Sequence, residues 1–248
     1  THGIGEHSGR HLYISENLSS HYNICLYDLR GHGKSEGRKG YVKSFSEYKK
    51  DLLQIIEFLK QEYRLSLVSL FGHSMGALIV SDFIQTYGDS LPNLEKVFLS
   101  APPVSPGGLG GLVARLSPNS FAHLLTQIPF SFKTLGLVDS TLLSHDPRVD
   151  LEYQKDPLNN TRLETALLIA LVDACKDVYS RPLGNKVPLY CIIGTGDKVV
   201  HFSSAKNFFN EAPNTIFKEI EDGYHELHNE IAKYREPYVQ FLKKSLIE

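Results

Sequence analysis

One serine stands between two glycines in a pattern that suits nucleophilic catalysis. Residues 72–76 read GHSMG and match Gly-x-Ser-x-Gly, with Ser74 at the centre. The serine follows residues 66–71, an apolar run typical of a buried strand, and precedes residues 76–87, which have the pattern of a helix. A sharp strand-to-helix turn of this kind holds the hydroxyl above the sheet. The sequence therefore predicts Ser74 as a nucleophile, and the alternative is a glycine-rich turn whose serine only caps the helix.

A histidine is the expected base, because a serine hydroxyl is a weak nucleophile until its proton is removed. Eleven histidines are present, and chain order selects among them. In hydrolases with this elbow the order is nucleophile, acid, base, and the base follows the last strand. His225 lies in the loop after the alternating run 215–220, and His228, three residues later, is the alternative. His73, inside the elbow, cannot easily reach back to Ser74 and is expected to be packed.

The acid must hold the imidazole in the correct tautomer and stabilise the imidazolium. Asp197 ends the run GTGD, residues 194–197, which directly follows the apolar run 189–193. That position is at the carboxyl end of a strand, where ligands bind in open α/β sheets. Asp222 is closer to His225 in sequence, but it lies in the same loop and would have to fold back. We therefore expect Asp197 to be the acid and Asp222 to lie on the surface.

Acyl transfer also needs donors for the negative charge that develops on the carbonyl oxygen, usually two backbone N–H groups. One should be the amide of Met75, the residue after the nucleophile. The other should come from residues 2–5, HGIG, with the Ile4 amide as the expected donor. The alternative for this segment is a plain glycine-rich turn.

The elements that must position these groups alternate between strand-like and helix-like patterns. Buried apolar strands separated by amphipathic helices predict an α/β fold, with a mostly parallel sheet flanked by helices. The predicted strands are 23–28, 66–71, 97–99, 189–193 and 215–220, and the predicted helices are 46–64, 76–87, 202–210 and 229–246.

The alternation stops between residues 103 and 186, where no clear strand is found. This stretch is too long for a plain loop in a compact domain. We expect a helical cap at 103–186, inserted into a core formed by residues 1–102 and 187–248. The alternative is a helical excursion packed on the sheet with no gating role. Apolar side chains in the cap could touch membranes or micelles: Leu109, Leu112, Leu116, Phe121, Leu124, Leu125 and Phe130.

Composition narrows the class of protein. The formal net charge is -2 and no long run of Lys or Arg appears, so nucleic-acid binding is not indicated. Three cysteines are too few for a disulfide framework and favour a reducing compartment, so we expect a cytoplasmic protein with peripheral membrane contact. Cys25 and Cys191 lie in strand-like runs and are expected to be buried. The chain begins at Thr1 without Met, and we expect the first strands, and any localisation signal, to precede it.

Six short runs together are more specific than the elbow alone: residues 2–10 (HGIGEHSGR), 28–37 (DLRGHGKSEG), 72–76 (GHSMG), 143–147 (LSHDP), 156–158 (DPL) and 223–228 (GYHELH). They resemble monoacylglycerol lipases and the related bacterial lysophospholipases, which are serine hydrolases of the α/β-hydrolase superfamily. The resemblance runs almost from end to end, and residues 103–135 depart from it most.

The resemblance implies an α/β-hydrolase fold with a cap over the serine, an apolar tunnel for one acyl chain and a polar pocket for the alcohol. By matching position, Glu6, Arg10 and His228 line or support that pocket. Glu6 and Arg10 could equally form an ion pair that steadies the first helix. The implied activity is hydrolysis of single-chain lipid esters through an acyl-enzyme, and it requires neither a metal nor an organic cofactor.

Other activities remain open at this point. A thioesterase, a short-chain carboxylesterase or an acyltransferase could use the same fold, because fold does not determine substrate. A catalytically inactive lipid-binding protein is less favoured, because Ser74, Asp197 and His225 are all present. Dehalogenases and epoxide hydrolases of this fold attack with an aspartate instead. The sequence leaves the head group, the acyl length and the oligomeric state undetermined.

Overall fold

A four-stranded sheet forms the centre of the computed structural model, which describes residues 1–91, 93–105 and 139–248. The strands are neighbours in chain order, and each neighbouring pair is parallel, so all four carboxyl ends lie at one edge of the sheet. They are β1 (Val68–His73), β2 (Leu94–Ser100), β3 (Leu189–Gly194) and β4 (Thr215–Ile220).

Helices connect the strands, as parallel strands require. Those of the described ranges are α1 (Leu12–Leu18), α2 (Ser46–Tyr63), α3 (Met75–Tyr87), α4 (Pro147–Lys155), α5 (Thr165–Val178), α6 (Phe202–Glu211) and α7 (Ala232–Ile247). None of the helices in these ranges is long and apolar enough to cross a membrane.

Both faces of the sheet are covered, because successive side chains of a strand point to opposite faces. In β2, Val97 and Leu99 belong to the core that contains α2, α3 and α5, whereas Phe98 belongs to the core with α1 and α7. In β3, Cys191 belongs to the core with α2, α3 and α5, and Ile192 belongs to the core with α1 and α7. Helix α3 packs against β1, α2 and α5, which explains why nearly all of its side chains are buried. The predicted α/β fold is confirmed.

One predicted strand is not formed. Residues 23–28 have no regular secondary structure, and no described strand pairs with them. Without a neighbouring strand, alternate side chains face solvent, so Cys25 is exposed where we expected it to be buried. Cys191, in β3, is buried as expected.

The predicted cap is described only in its second part. Helices α4 and α5 lie there, and residues 139–186 contain no strand. Helix α4 begins sharply, because the Asp146 side chain accepts a hydrogen bond from the Arg148 amide and Pro147 occupies the first turn. The apolar cap residues between Leu109 and Phe130 lie outside the described residues, and the division into core and cap stays a prediction.

Candidate active site

The turn between β1 and α3 places Ser74 in a strained backbone conformation. Its φ is 53° and its ψ is -121°, a region that a residue with a side chain rarely adopts. The Ser74 amide donates to the carbonyl oxygen of Ser100, at the end of β2, over 2.9 Å. These features are those of a nucleophile elbow, in which the side chain is held at the carboxyl edge of the sheet.

Both residues that flank the elbow are glycines, because other backbone segments pass very close to them. A Cβ atom on Gly72 would lie 2.5 Å from the carbonyl oxygen of Gly76. A Cβ atom on Gly76 would lie 2.3 Å from the carbonyl oxygen of Thr1 and 2.5 Å from that of His2. The glycine pattern therefore brings the first residues of the chain against the elbow, and these include the predicted oxyanion segment.

The structure brings the three predicted triad residues into one hydrogen-bonded line. Ser74 Oγ lies 2.9 Å from His225 Nε2, and His225 Nδ1 lies 2.7 Å from Asp197 Oδ2. The other carboxylate oxygen of Asp197 accepts from the amides of Val199, at 2.8 Å, and Val200, at 3.0 Å. Because three different strands end beside these residues, the sheet fixes the spacing between them.

Burial and the neighbouring carboxylate act in opposite directions on His225. Its side chain is 4% exposed and that of Asp197 is 0% exposed. Burial disfavours the imidazolium, but the negative charge and the hydrogen bond of Asp197 outweigh it, so the pKa of His225 is raised above its ordinary value. The pair is therefore suited to accept the serine proton.

The rival candidates lie elsewhere. Asp222 is exposed, with φ of 60°, and its amide donates to Thr195 Oγ1 over 2.9 Å. His73 is 1% exposed, its Nδ1 lies 3.4 Å from Ser100 Oγ, and its ring centroid lies 5.0 Å from that of His225. These positions agree with the expected surface and packing roles.

His228 lies behind the catalytic line rather than in contact with it. Its ring stacks on Tyr13 at 4.8 Å and meets the edge of His73 at 4.9 Å. Burial, together with His11 and His73, holds its pKa well below the ordinary value, so the ring is neutral. Although these histidines are adjacent, no group of three or more His, Cys, Asp or Glu in the described ranges is arranged to hold a metal ion.

A small cavity of about 20 Å³ opens beside Ser74, with room for roughly one water molecule. The residues that line it are Gly3, Ile4, Glu6, His73, Ser74, Leu143, Tyr153, Val199, His225 and Glu226. His228 is not among them, and its place in an alcohol pocket stays a prediction. A groove of about 730 Å³ between residues 27–43 and α2 contains none of the triad residues.

Of the two predicted oxyanion donors, the cavity is lined by Ile4, while Met75 is the residue after Ser74. Met75 is the first residue of α3, so its N–H has no acceptor within the helix. Ile4 lines the cavity together with Ser74. The positive end of the α3 dipole also points toward the elbow and favours negative charge there.

Glu6 and Arg10 form the ion pair considered as an alternative, with 3.3 Å between Arg10 Nε and Glu6 Oε2. Glu6 Oε1 also accepts from the Gly3 amide, at 2.5 Å, and from His11 Nε2, at 3.0 Å. Burial opposes ionisation of Glu6, but His11 and the Arg10 guanidinium more than compensate and hold its pKa well below the ordinary value. The same residue thus steadies the first turn and lines the cavity.

Two lining residues, Glu226 and Tyr153, were not predicted from the sequence. Glu226 binds Arg10 Nη2 over 2.5 Å, and Tyr153 donates its hydroxyl to the Gly5 carbonyl oxygen over 3.0 Å. Glu226 directly follows His225, which is a signal that could have been used. Tyr153 is in α4, 148 positions from Gly5, and no local pattern indicates that it returns to the elbow.

The run 143–147, noted only for its resemblance, holds the loop that carries His225. The Leu143 carbonyl oxygen accepts from the Glu226 amide over 2.8 Å. Glu230, which is fully buried, accepts from His145 Nδ1 at 2.7 Å and from the Tyr224 amide at 2.9 Å. The segment before α4 therefore supports the loop on both sides of His225.

Comparison with known sequences places this site in a family. A family model described as serine aminopeptidase, S33 matches residues 1–232. A monoglyceride lipase homolog of Monkeypox virus is 31% identical over 234 residues, covering 93% of this chain and 81% of that protein. The monoglyceride lipase of Mus musculus is 28% identical over 239 residues, covering 93% and 75%. The chain spans only 25% of an uncharacterized abhydrolase domain-containing protein of Dictyostelium discoideum, to which it is 25% identical.

Solved structures agree with this fold. The monoacylglycerol lipase of Paleococcus ferrophilus superposes with a TM-score of 0.83 at 27% identity, over 99% of this chain and 93% of that one. A soluble variant of the Saccharomyces cerevisiae monoglyceride lipase, in complex with a substrate analog, also superposes with a TM-score of 0.83. The match covers 98% of this chain and 83% of that one, and at 18% identity it supports the fold alone. The family model covers nearly the whole chain and the predicted resemblance is confirmed, so the chain belongs to the serine aminopeptidase S33 family of α/β-hydrolases.

Proposed function

We propose that this chain is a serine esterase that hydrolyses single-chain lipid esters, monoacylglycerols or lysophospholipids, through an acyl-enzyme on Ser74. The observation that carries the proposal is the hydrogen-bonded line from Ser74 Oγ through His225 to Asp197, with distances of 2.9 and 2.7 Å. The relatives named monoglyceride lipase, at 31% and 28% identity, support the substrate class.

In the first step, Ser74 Oγ attacks the ester carbonyl carbon while His225 Nε2 takes the hydroxyl proton. Asp197 holds Nδ1–H, so that Nε2 is the free nitrogen, and it stabilises the imidazolium that forms. The carbonyl oxygen becomes negatively charged and receives hydrogen bonds from the amides of Ile4 and Met75.

In the second step, the tetrahedral intermediate collapses and the bond to the alcohol oxygen breaks. His225 gives its proton to that oxygen, and the alcohol leaves. Water then attacks the acyl-enzyme with His225 as base, and Ser74 is regenerated when the carboxylic acid departs. Every proton transfer uses the same imidazole nitrogen, so a single histidine serves both halves of the reaction.

The substrate class depends on the relatives, because the triad geometry alone would serve other acyl transfers. The description of the family names a peptidase, whereas the relatives from Monkeypox virus and Mus musculus are named for lipase activity. The proposal therefore predicts that long-chain 1-acylglycerols are turned over faster than acyl thioesters and aminoacyl anilides of equal concentration. Faster turnover of either alternative would change the assigned substrate class and leave the nucleophile as it is.

The proposal includes a cap at residues 103–186 that meets lipid aggregates. Its support is the sequence between residues 106 and 137, which is rich in Gly, Leu and Phe with few charges, and the presence of helices without a strand in residues 139–186. We expect higher activity on micellar than on monomeric ester. Equal activity on both forms would contradict the contact with aggregates.

The test of the nucleophile compares Ser74→Ala with Ser81→Ala. Ser81 is a buried serine on α3, the helix that follows Ser74, and donates to the Ala77 carbonyl oxygen over 2.8 Å, so the control removes the same atom nearby. We expect Ser74→Ala to lower turnover of p-nitrophenyl esters by about 10³-fold or more, with an unchanged circular dichroism spectrum. Ser81→Ala should keep activity within a fewfold of the parent. Activity retained by Ser74→Ala would overturn the assignment.

A further inference from the structure

The cavity beside Ser74 has an unusual balance of charge. Two of its lining side chains are carboxylates, Glu6 and Glu226, and none of its described lining residues is Lys or Arg. Arg10 contacts both carboxylates but does not line the cavity; its side chain is 10% exposed, and each carboxylate side chain is 3% exposed. The surface that a leaving alcohol would meet is therefore negative.

Arg10 is already engaged by both carboxylates. Its Nη2 lies 2.5 Å from Glu226 Oε2 and its Nε lies 3.3 Å from Glu6 Oε2. One guanidinium faces two carboxylates, so the three groups together carry one excess negative charge. A phosphate that approached Arg10 would have to displace a buried carboxylate, which would then lose its partner.

Besides Ser74, His225 and Ile4, which the proposed reaction uses, the lining presents two carboxylates as acceptors. Glu6 Oε2 is buried, and its contact among the described residues is the ion pair with Arg10 Nε rather than a hydrogen bond. Tyr153 also lines the cavity, but its hydroxyl is committed to the Gly5 carbonyl oxygen at 3.0 Å. A hydroxyl on the leaving group would add a hydrogen bond to a charged acceptor of the lining. A phosphate on the leaving group would instead bring negative charge beside these two carboxylates.

We propose that Glu226, together with Glu6, is a specificity residue that admits neutral polyol or cationic leaving groups and excludes leaving groups that carry phosphate. This inference depends on the proposed function, because it assumes that the leaving alcohol meets this cavity. It selects the monoacylglycerol class over the lysophospholipid class. The cavity is smaller than glycerol, so lining side chains must shift when the alcohol binds.

Glu226 is the carboxylate to change. Glu6 also accepts from the Gly3 amide and from His11, so its loss would disturb the segment that carries Ile4. The bonds of the Glu226 carboxylate are to two side chains, Arg10 and Asn229 Nδ2, the latter at 2.7 Å. Glu226→Gln keeps the shape and removes the charge. The matched control is Glu221→Gln, which removes the same charge from an exposed position of the same loop.

The experiment measures kcat/KM for three esters of one medium-length acyl chain: the 1-acylglycerol, the 1-acylglycerol 3-phosphate and the choline ester. We expect the wild-type protein to hydrolyse the phosphate ester at least about tenfold less efficiently than the acylglycerol, because like charges oppose binding at a buried site. The choline ester has similar bulk and opposite charge, and we expect it to be accepted. The ratio of kcat/KM for the acylglycerol to kcat/KM for its phosphate should fall about threefold or more in Glu226→Gln. The same ratio should be unchanged in Glu221→Gln.

Equal efficiency of wild-type protein on the acylglycerol and its phosphate would overturn this inference alone. So would rejection of the choline ester together with the phosphate, since bulk would then explain both, or an unchanged ratio in folded Glu226→Gln. If Glu226→Gln does not fold, the wild-type comparison of the phosphate and choline esters decides. If the wild-type protein hydrolyses none of the three esters, the proposed function is overturned and this inference with it.

Discussion

The reactivity proposed for Ser74 depends on how firmly Asp197 is held. Two backbone amides, those of Val199 and Val200, occupy one of its carboxylate oxygens and leave the other for His225. The carboxylate therefore cannot rotate away without losing three hydrogen bonds. This fixation determines which nitrogen of His225 is free to accept the serine proton.

Asp197→Asn tests this role at the residue scale. The amide has nearly the same shape, but it can donate to Nδ1, which places the histidine proton on the nitrogen that must act as base. We expect kcat for a p-nitrophenyl ester to fall about 10³- to 10⁴-fold at neutral pH. The exposed Asp222→Asn is the control and should keep the parent rate. Comparable losses in the two variants would contradict the assignment of the acid.

The pH dependence of activity follows from the same pair. In the proposed mechanism neutral His225 is the base, and Asp197 raises the pKa of His225 above the ordinary value of 6.5 despite burial. We therefore expect kcat/KM to decline as pH falls through a midpoint above 6.5. In Asp197→Asn the carboxylate charge is gone, so the midpoint should move to lower pH. A midpoint that is unchanged between the two proteins would show that Asp197 does not set this pKa.

At the scale of elements, the elbow works because β1, α3 and the first residues of the chain pass within backbone contact of one another. Gly76→Ala would place a Cβ atom 2.3 Å from the Thr1 carbonyl oxygen. We expect the free energy of unfolding to fall by about 1–3 kcal/mol or more, because backbone must move. Gly184→Ala is the matched control, since its Cβ atom would have nothing within 4 Å. Urea unfolding of both variants measures the difference, and equal effects would refute the packing explanation.

The loop that carries His225 is held by Glu230. This buried carboxylate accepts from the Tyr224, His145 and Ile231 amides and from the His145 ring. Both carboxylate oxygens of Glu230 accept hydrogen bonds, whereas glutamine has only one oxygen. We therefore expect Glu230→Gln to lower the free energy of unfolding by about 1–3 kcal/mol. We also expect a lower kcat with little change in KM, because the base is displaced. The exposed Glu236→Gln should change neither quantity, and a Glu230 variant as active and stable as this control would contradict the support role.

Helices and strands could be predicted from the sequence where the spacing of apolar residues within the segment itself indicates the element. β4 and α6 match the predicted ranges to within one residue, β3 ends one residue later than predicted, at Gly194, and β1 continues through Gly72 and His73 to the residue before Ser74. Residues 23–28 have the same apolar pattern but form no strand, because a strand also requires a partner, which a single run does not encode. The triad candidates came from chain order and strand ends. Tyr153 could not be found in this way, since only the packing of α4 brings it to the site.

At the scale of the whole molecule, several neutral imidazoles are built into the interior. Burial lowers the pKa of His2 to about 3, and burial lowers the pKa of His32, His73 and His228 as well. Below about pH 6.5 the unfolded chain therefore binds more protons at these positions than the folded chain does. Stability from these groups is therefore present above that pH and is lost as pH falls.

We accordingly expect the free energy of unfolding to decrease from pH 7 to pH 5 by more than about 1.4 kcal/mol per pH unit, the value for one proton. His225 does not oppose this trend below pH 6.5, because its raised pKa leaves it protonated in both states there. Urea unfolding at several pH values measures the slope. Replacing the exposed His21 by Gln should leave the slope unchanged. A free energy of unfolding that stays constant or rises toward pH 5 would contradict the view that these buried histidines are neutral in the folded chain.

The most direct test of the central claim is covalent labelling of the folded chain with a fluorophosphonate, followed by peptide mapping. The proposed mechanism predicts one adduct, on Ser74, formed with loss of fluoride. It also predicts that labelling slows by orders of magnitude in His225→Ala, whereas His228→Ala, if folded, labels at nearly the wild-type rate. An adduct at another residue, no adduct, or undiminished labelling of His225→Ala would contradict an activated Ser74.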